Sequence, residues 1–193
     1  MNKNILLDRL PQYTENGLRI RTDFRESIKF ELLMQDSKIK KEDKIAYALN
    51  LYYYEPNKIK NIQEAIQEIV WFYGGGKKDK EIKINDKEQV QEKTKQIYSY
   101  EFDDEYIYSA FMEQYGIDLN KIKYLHWWKF RALMSCLNEN TQFVKIMGYR
   151  NTELSSIKDK SMKSFYKKMK KQYALPDMRS EEEKELDFAN ELW

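Results

Sequence analysis

Residues 125–134 read LHWWKFRALM and concentrate the largest side chains of the sequence in one segment. Its ten positions hold the only histidine of the 193-residue chain, two adjacent tryptophans, a phenylalanine, a lysine and an arginine. On a helix, Leu125, Trp128 and Ala132 share one side while Trp127 lies on another, so large side chains cover more than one face. The pattern therefore predicts a helix that packs against several other elements.

His126 is the first residue in this stretch to test for chemistry. A histidine that acts as a base or a metal ligand needs partners. The sequence supplies no HxxxH or HxH spacing, and no cysteine or carboxylate follows His126 at three or four residues. We therefore expect a structural histidine near a helix start, and no catalytic, metal-binding or cofactor-binding residues. The alternative is an enzyme that uses His126 together with the acids near Asp103.

The composition favours helices over strands. Only six glycines and three prolines leave few positions for tight turns, while hydrophobic residues at 41% supply a core. We expect an all-α fold, an irregular helical bundle, with about three helices before the glycines at 74–76 and four or five after them. Asn16-Gly17, between flanks that can extend, predicts one exception, a small N-terminal β-hairpin with a two-residue turn.

Helix boundaries follow from capping residues and apolar spacing. Asp23 is typical of an N-cap, and apolar residues recur every four positions after it. Gly116 is typical of the glycine that ends a helix. The predicted helices run over about 23–35, 41–53, 58–73, 102–115, the 125–134 stretch after a cap at Asp118 or Asn120, and Asn140 or Thr141 to Gly148.

Charge patterning predicts an internal boundary. Residues 77–95 alternate charges with little apolar content, which is typical of a solvated linker. We predict one mainly helical domain over 1–178, in which parts at 10–73 and 99–178 are joined by a charged linker at 74–98. An acidic C-terminal helix or tail follows at 179–193.

The acids at 101–105 admit two interpretations. Glu101, Asp103, Asp104 and Glu105 could form a metal cluster or a general acid and base pair. Acids also gather in the first turn of a helix, where backbone N–H groups lack partners and the helix dipole is positive. Helix capping is the simpler explanation, and we adopt it.

The overall charge excludes a strong global attraction to nucleic acid or to an anionic membrane. Lysine and arginine total 34 against 32 acids, a formal net charge of +2. The single cysteine, Cys136, cannot form an internal disulfide. With no apolar run of signal-peptide or membrane-spanning length, these features favour a soluble cytoplasmic protein.

A basic amphipathic helix is predicted after residue 152. Between 158 and 171, seven lysines accompany one acid, Asp159. Lys163, Lys167 and Lys170 are candidate partner-binding residues, and the runner-up function is nucleic-acid binding through this face. The alternative is a solvated face, neutralised by the acidic run at 181–185.

The C-terminal residues give a separate signal. Phe188, Leu192 and Trp193 place large apolar groups at the very end of the chain. Such a helix either docks on its own core or inserts into the groove of another protein. Both interpretations stay open, and we treat these three residues as candidate partner-binding residues.

Several motifs in a fixed order resemble one protein family. The family is that of the bacteriophage "gene product fifteen" of siphophages and prophages of Gram-positive bacteria, and the likeness spans roughly residues 10–178. The motifs are Thr22-Asp23-Phe24-Arg25, Trp71-Phe72-Tyr73, YEFDDEYIYSAF at 100–111, YGIDL at 115–119, LHWWKF at 125–130 and IMGYR at 146–150.

The resemblance implies a small helical phage protein without enzymatic activity, encoded in the tail-morphogenesis region where tail assembly chaperones usually sit. Its implied partner is the tape measure protein, with the major tail protein, a second chaperone or a further copy of the chain as other candidates. We expect the matching residues to be structural. They are Asp23, Phe24, Arg25, Trp71, Phe72, Phe102, Asp103, Tyr108, Phe111, Tyr115, Gly116, His126, Trp127, Trp128, Phe130 and Arg150.

Overall fold

The computed structural model describes residues 4–76 and 96–177. This described part of the chain is all-α, with seven α-helices and no sheet. The helices are α1 (Phe24–Gln35), α2 (Lys41–Tyr52), α3 (Ile62–Tyr73), α4 (Asp104–Tyr115), α5 (Trp127–Ser135), α6 (Gln142–Asn151) and α7 (Lys160–Gln172), and a short 3-10 helix spans Pro56–Lys58.

The predicted N-terminal β-hairpin is wrong. Only an isolated antiparallel bridge joins Tyr13 to Arg19, and no strand forms there. A two-residue type I′ turn needs positive φ at both central residues. Only Gly17 has it, at φ 76°, and no residue other than glycine does in the described part of the chain. The Gly17 N–H instead donates to the Thr14 carbonyl at 3.0 Å, which closes a turn with Glu15 and Asn16 at its centre.

The described residues divide into two compact units. The first holds residues 4–76, 124–130 and 176–177, and the second holds 96–123 and 131–175. Most of the predicted linker, from 77 to 95, lies outside the described residues. The predicted acidic C-terminal segment also lies outside them, together with Phe188, Leu192 and Trp193.

The first unit is built on α1, α2 and α3. As predicted, Asp23 caps α1, because its carboxylate accepts the Arg25 backbone N–H at 3.1 Å. The Tyr52 hydroxyl on α2 donates to the buried Ser27 hydroxyl on α1 at 2.9 Å. Phe30 packs edge-on against Tyr52 with ring centroids 5.3 Å apart. Each buried polar group thus has a partner inside an aromatic core.

The second unit contains α4, α6 and α7, each ended or begun by a recognisable cap. Gly116 terminates α4 in the left-handed conformation at φ 63°, as predicted. The Thr141 hydroxyl accepts the Val144 N–H at the start of α6. The Asp159 carboxylate accepts the Met162 N–H at the start of α7, at 2.7 Å. Local sequence therefore accounts for these three boundaries.

The predicted cap of the fifth helix at Asp118 or Asn120 is wrong. Helix α5 begins only at Trp127. Ahead of it, the Leu125 carbonyl accepts the Phe24 N–H at 2.9 Å, and the Trp127 N–H donates to the Thr22 carbonyl at 2.8 Å. These bonds hold the chain extended beside the residues that precede α1, so the helix cannot start earlier.

Candidate protein-interaction surface

The two tryptophans at the start of α5 are structural residues of the first unit. Trp127 and Trp128 are 2% and 5% exposed. The Trp127 indole N–H donates to the Tyr73 carbonyl at 2.8 Å, and that of Trp128 to the Phe72 carbonyl at 2.7 Å. Carbonyls in the last turn of a helix have no intrahelical partner. The indoles therefore cap the end of α3 while their rings fill the core.

Gly76 makes room for one of these rings. It is buried, with φ +72°, a conformation that favours glycine. A Cβ atom built there would lie 2.2 Å from the Trp128 ring. Trp71 approaches the same ring edge-on, with centroids 5.5 Å apart. Gly76 is thus required by the Trp128 ring as well as by its own backbone conformation.

His126 is a buried structural histidine. Its Nδ1 atom accepts the Trp128 backbone N–H at 3.1 Å, so the proton lies on Nε2, which is 3.2 Å from the Pro11 carbonyl oxygen. Burial lowers the pKa of His126 below its ordinary value, against an opposing effect of the Pro11 contact, and Lys129 lowers it further. Both ring nitrogens are therefore engaged in holding the loop before α5.

Asp23 and its neighbours also hold the segment before α5. The second carboxylate oxygen of Asp23 accepts the Leu125 N–H at 3.1 Å, and the first also binds the Arg25 guanidinium at 3.0 Å. Phe24 stacks on Phe130 with ring centroids 4.7 Å apart. One carboxylate thus caps α1 and holds the segment before α5.

Asp103 does not act as a capping side chain, which corrects one of the predicted roles. It precedes α4 but makes no side-chain cap bond. It is fully buried and accepts from the Arg150 guanidinium at 2.6 and 2.9 Å. The same carboxylate accepts the Ser99 N–H at 2.9 Å. A bidentate pair with a backbone donor is a favourable way to bury a charge.

Arg150 ties three segments of the second unit together. Besides Asp103, its guanidinium donates to the Ile97 carbonyl at 3.1 Å and the Tyr173 carbonyl at 2.6 Å. Tyr173 ends α7. The ion pair therefore joins the start of α4, the segment before it and the end of α7. Local sequence could not have predicted it, because the partners are 47 residues apart.

The other motif residues are mixed in exposure. Phe111 is buried, and the Tyr115 hydroxyl donates to the Leu133 carbonyl at 2.8 Å. Tyr108 is half-buried, whereas Phe102 is 39% exposed. Most of the motif set thus forms cores and caps.

Helix α7 presents the most conspicuous exposed apolar surface of the second unit. No residue of this helix is buried. Met162 and Phe165 are 54% and 49% exposed. On its inner side the helix packs on α6, where Tyr149 contacts the rings of Phe165, Tyr166 and Tyr173 with centroids about 6 Å away. We call Met162 and Phe165 the α7 strip.

The three lysines predicted to bind a partner differ in their contacts. The Lys170 ammonium donates to the Thr152 carbonyl at 2.5 Å and so helps to hold α7 in place. Lys163 and Lys167 are exposed, but they follow Met162 and Phe165 by only one and two residues. Residues at those spacings do not face each other on a helix. These two lysines therefore lie off the α7 strip.

The prediction missed Lys168. This exposed lysine follows Phe165 by three residues, so the two side chains are neighbours on the helix surface. The only acid near the helix start, Asp159, is committed to the cap. Spacing relative to Phe165 was the signal that could have identified Lys168.

A polar groove is one concave feature of the first unit. It has a volume of about 660 Å³ and is lined by the 14–18 turn, the 57–61 loop and the start of α3. Glu68 at its edge accepts the Glu15 N–H at 3.2 Å, and burial raises its pKa. Within residues 4–76 and 96–177, no cluster of three metal-ligating side chains occurs and no helix has the length and apolar content to span a membrane.

The described elements define an all-α protein with buried aromatic cores and an exposed basic amphipathic helix. The chain belongs to the bacteriophage Gp15 protein family, whose model matches residues 6–175. This membership identifies a bacteriophage protein and indicates a structural or morphogenesis role. Comparisons with curated proteins and with solved structures find no significant match.

Proposed function

We propose that this chain is a tail assembly chaperone that binds the tape measure protein of its phage and makes or breaks no covalent bond. The observation that carries the proposal is the α7 strip, where Met162 and Phe165 are about half exposed. Covering apolar surface contributes roughly 25 cal/mol per Å² removed from water, and the cost of ordering the complex is subtracted from this gain. Family membership supplies the phage context.

The chemistry of a tape measure protein suits such a surface. A long helical protein displays apolar stripes until the tail tube surrounds it, and exposed apolar stripes cause aggregation. A helix that offers two large apolar side chains among lysines can cover part of a stripe while it stays hydrated elsewhere. This provides a physical route to a chaperone role.

A chaperone that leaves the tape measure protein when the tube surrounds it must be released as easily as it binds. Two half-exposed side chains on one short helix provide a small contact, so each copy should bind weakly. Several copies on one long partner would then act together through avidity. Each copy would remain displaceable by the tube.

The direct test is co-expression with the tape measure protein of the same phage. We expect the wild-type chain to keep that protein in the soluble fraction and to co-purify with it. The double variant Met162→Ser, Phe165→Ser should lose both effects. The matched control is Met34→Ser, Tyr47→Ser, which changes two exposed residues of α1 and α2. If the tape measure protein is equally soluble without this chain, the proposed function is wrong.

A further inference from the structure

We propose that α7 binds an amphipathic helix whose apolar stripe is bordered by acidic residues. The inference rests on the proposed function only in naming which segments of the tape measure protein this chain would hold. It assigns the α7 strip as the apolar contact and Lys168, with its exposed lysine neighbours, as the electrostatic contact.

The shape of the surface favours a helical partner. Helix α7 has 13 residues, which corresponds to a length of roughly 20 Å. Met162 and Phe165 are one helical turn apart, and both are about half exposed. Partners that pair by adding a strand need an open sheet edge, and residues 4–76 and 96–177 contain no sheet. A second helix laid along the strip can place its own apolar residues on both anchors.

The two anchors suit a partner of variable sequence. Methionine is unbranched and flexible, so it adapts to different neighbouring side chains. Phe165 is a larger and more rigid anchor, and its ring is nearly perpendicular to that of Tyr149 with centroids 6.0 Å apart. One adaptable and one supported side chain would accept many apolar stripes along a long protein.

Charge complementarity selects an acidic border for the partner. Residues 142–173 contain nine lysines and arginines and only two acids, although the whole chain has a net charge of +2. Arg150 and Lys170 are used inside the unit, and Asp159 caps α7. Seven lysines of this region are exposed: Lys145, Lys158, Lys160, Lys163, Lys167, Lys168 and Lys171. A partner with lysines beside its stripe would be repelled, and one with glutamates would be attracted.

The same lysines could contact phosphates, but the position of the strip favours a protein. Lys168 lies beside Phe165, so a partner that reaches this ammonium group also covers the ring. A nucleic acid duplex in that position would place phosphates against an exposed apolar ring and gain little from it. An acid-bordered apolar helix satisfies both groups at once.

The test uses the full-length chain and four probes in a fluorescence anisotropy titration. One peptide of about 20 residues is a helix with a leucine stripe bordered by glutamates, long enough to cover α7. The second keeps the stripe and has lysine borders, the third is a scrambled version of the first, and the fourth probe is duplex DNA of about 20 base pairs. We expect the glutamate-bordered peptide to bind about tenfold or more tightly than the lysine-bordered one.

Variants then separate the two kinds of contact. Met162→Ser, Phe165→Ser should weaken binding of the glutamate-bordered peptide at least about tenfold. Lys168→Glu should weaken it about three- to tenfold, and more so at low salt. Lys121→Glu, an exposed lysine of the same unit outside α7, is the matched control and should leave binding unchanged. Circular dichroism and the thermal midpoint confirm that each variant is folded.

Four outcomes would overturn the inference. Two concern the peptides: equal affinity for the glutamate-bordered and lysine-bordered peptides, and peptide binding that survives both the double variant and Lys168→Glu. The other two are DNA binding that exceeds peptide binding and falls steeply with salt, and self-association of the chain that the double variant abolishes. If these occur while the double variant still loses tape measure solubility, the partner chemistry is wrong and the proposed function stands. If the peptides bind as expected but the solubility of the tape measure protein does not depend on this chain, the proposed function is wrong and the partner chemistry stands.

Discussion

The start of α5 and the whole of α7 are both rich in aromatic and basic residues, yet they have opposite places in the structure. Trp127, Trp128 and Phe130 are all at most 5% exposed. Helix α7 has no buried residue. The density of aromatic residues in a sequence therefore does not determine whether they form a core or a surface.

Two physical features separate these regions. The indoles of α5 donate to carbonyls in the last turn of α3, and Gly76 leaves the space that the Trp128 ring needs. The aromatic residues of α7 lie on one face and meet a single neighbouring helix, through Tyr149. Aromatic residues are thus buried where they find hydrogen-bond partners and space beside the backbone. Amphipathic spacing alone leaves part of the helix face exposed.

The largest expected effect is on the buried side of the comparison. Trp128→Ala should lower the free energy of unfolding by about 3–5 kcal/mol, because it empties a core position and removes the indole donor of the Phe72 carbonyl. Chemical denaturation measures the change. Phe165→Ala on α7 is the matched truncation and should cost less than about 1 kcal/mol. Equal losses for the two variants would remove the distinction between the regions.

The next effect concerns the ion pair that holds the end of α7. Arg150→Met should lower the free energy of unfolding by about 3 kcal/mol, because it leaves the Asp103 carboxylate buried without its cation. Urea denaturation of the single variant and of the double variant Arg150→Met, Asp103→Leu measures this. The double variant should recover much of the loss, and a double variant less stable than the single one would contradict the assignment.

A smaller effect is expected at Gly76. Gly76→Ala places a methyl group against the Trp128 ring in a conformation that favours glycine, and should cost about 1–3 kcal/mol. The control is Gly148→Ala on α6, where an added Cβ meets nothing within 4 Å. That change should be neutral or slightly stabilising. Thermal midpoints of the two variants, compared with that of the wild type, measure both effects, and an equal change in the two would contradict the role of Gly76.

His126 gives the pH dependence of the buried region. Its pKa is lowered in the folded chain, so the unfolded chain binds more protons in the window between the two values. Its contribution to stability is therefore fully present above the unfolded pKa of about 6.5 and is lost as the pH falls through it towards the folded pKa. The thermal midpoint should fall between about pH 7.5 and 5.5 by more in wild type than in His126→Gln. Parallel pH profiles for the two proteins would show that His126 does not titrate in this way.

The smallest stability effect is expected on the exposed side. Met162→Ser, Phe165→Ser should change the free energy of unfolding by no more than about 1 kcal/mol, because both residues are about half exposed. Urea denaturation measures it. A loss comparable to that of Trp128→Ala would show that the α7 strip belongs to a core.

The sequence predicted those parts of the fold that depend on neighbouring residues. Asp23 and Thr141 cap helices, and Gly116 ends one, because each acts within a few residues of itself. The late start of α5 and the role of Asp103 could not be predicted. They depend on Thr22, more than 100 residues before Trp127, and on Arg150, 47 residues away.

The same limit applies to the binding surface. Composition and periodicity predicted the basic amphipathic helix and named Lys163, Lys167 and Lys170 as partner-binding residues. Only the packing of α7 on α6 shows which apolar residues remain exposed, and therefore which lysine stands beside them. The Thr152 carbonyl that accepts from Lys170 is likewise visible only in three dimensions.

The most direct measurement of the central claim is the soluble fraction of the tape measure protein when it is co-expressed with this chain. We predict a high soluble fraction with wild type and with Met34→Ser, Tyr47→Ser, and a low one with Met162→Ser, Phe165→Ser at equal chain levels. A soluble fraction that is the same with all three proteins would contradict the claim that α7 carries the function.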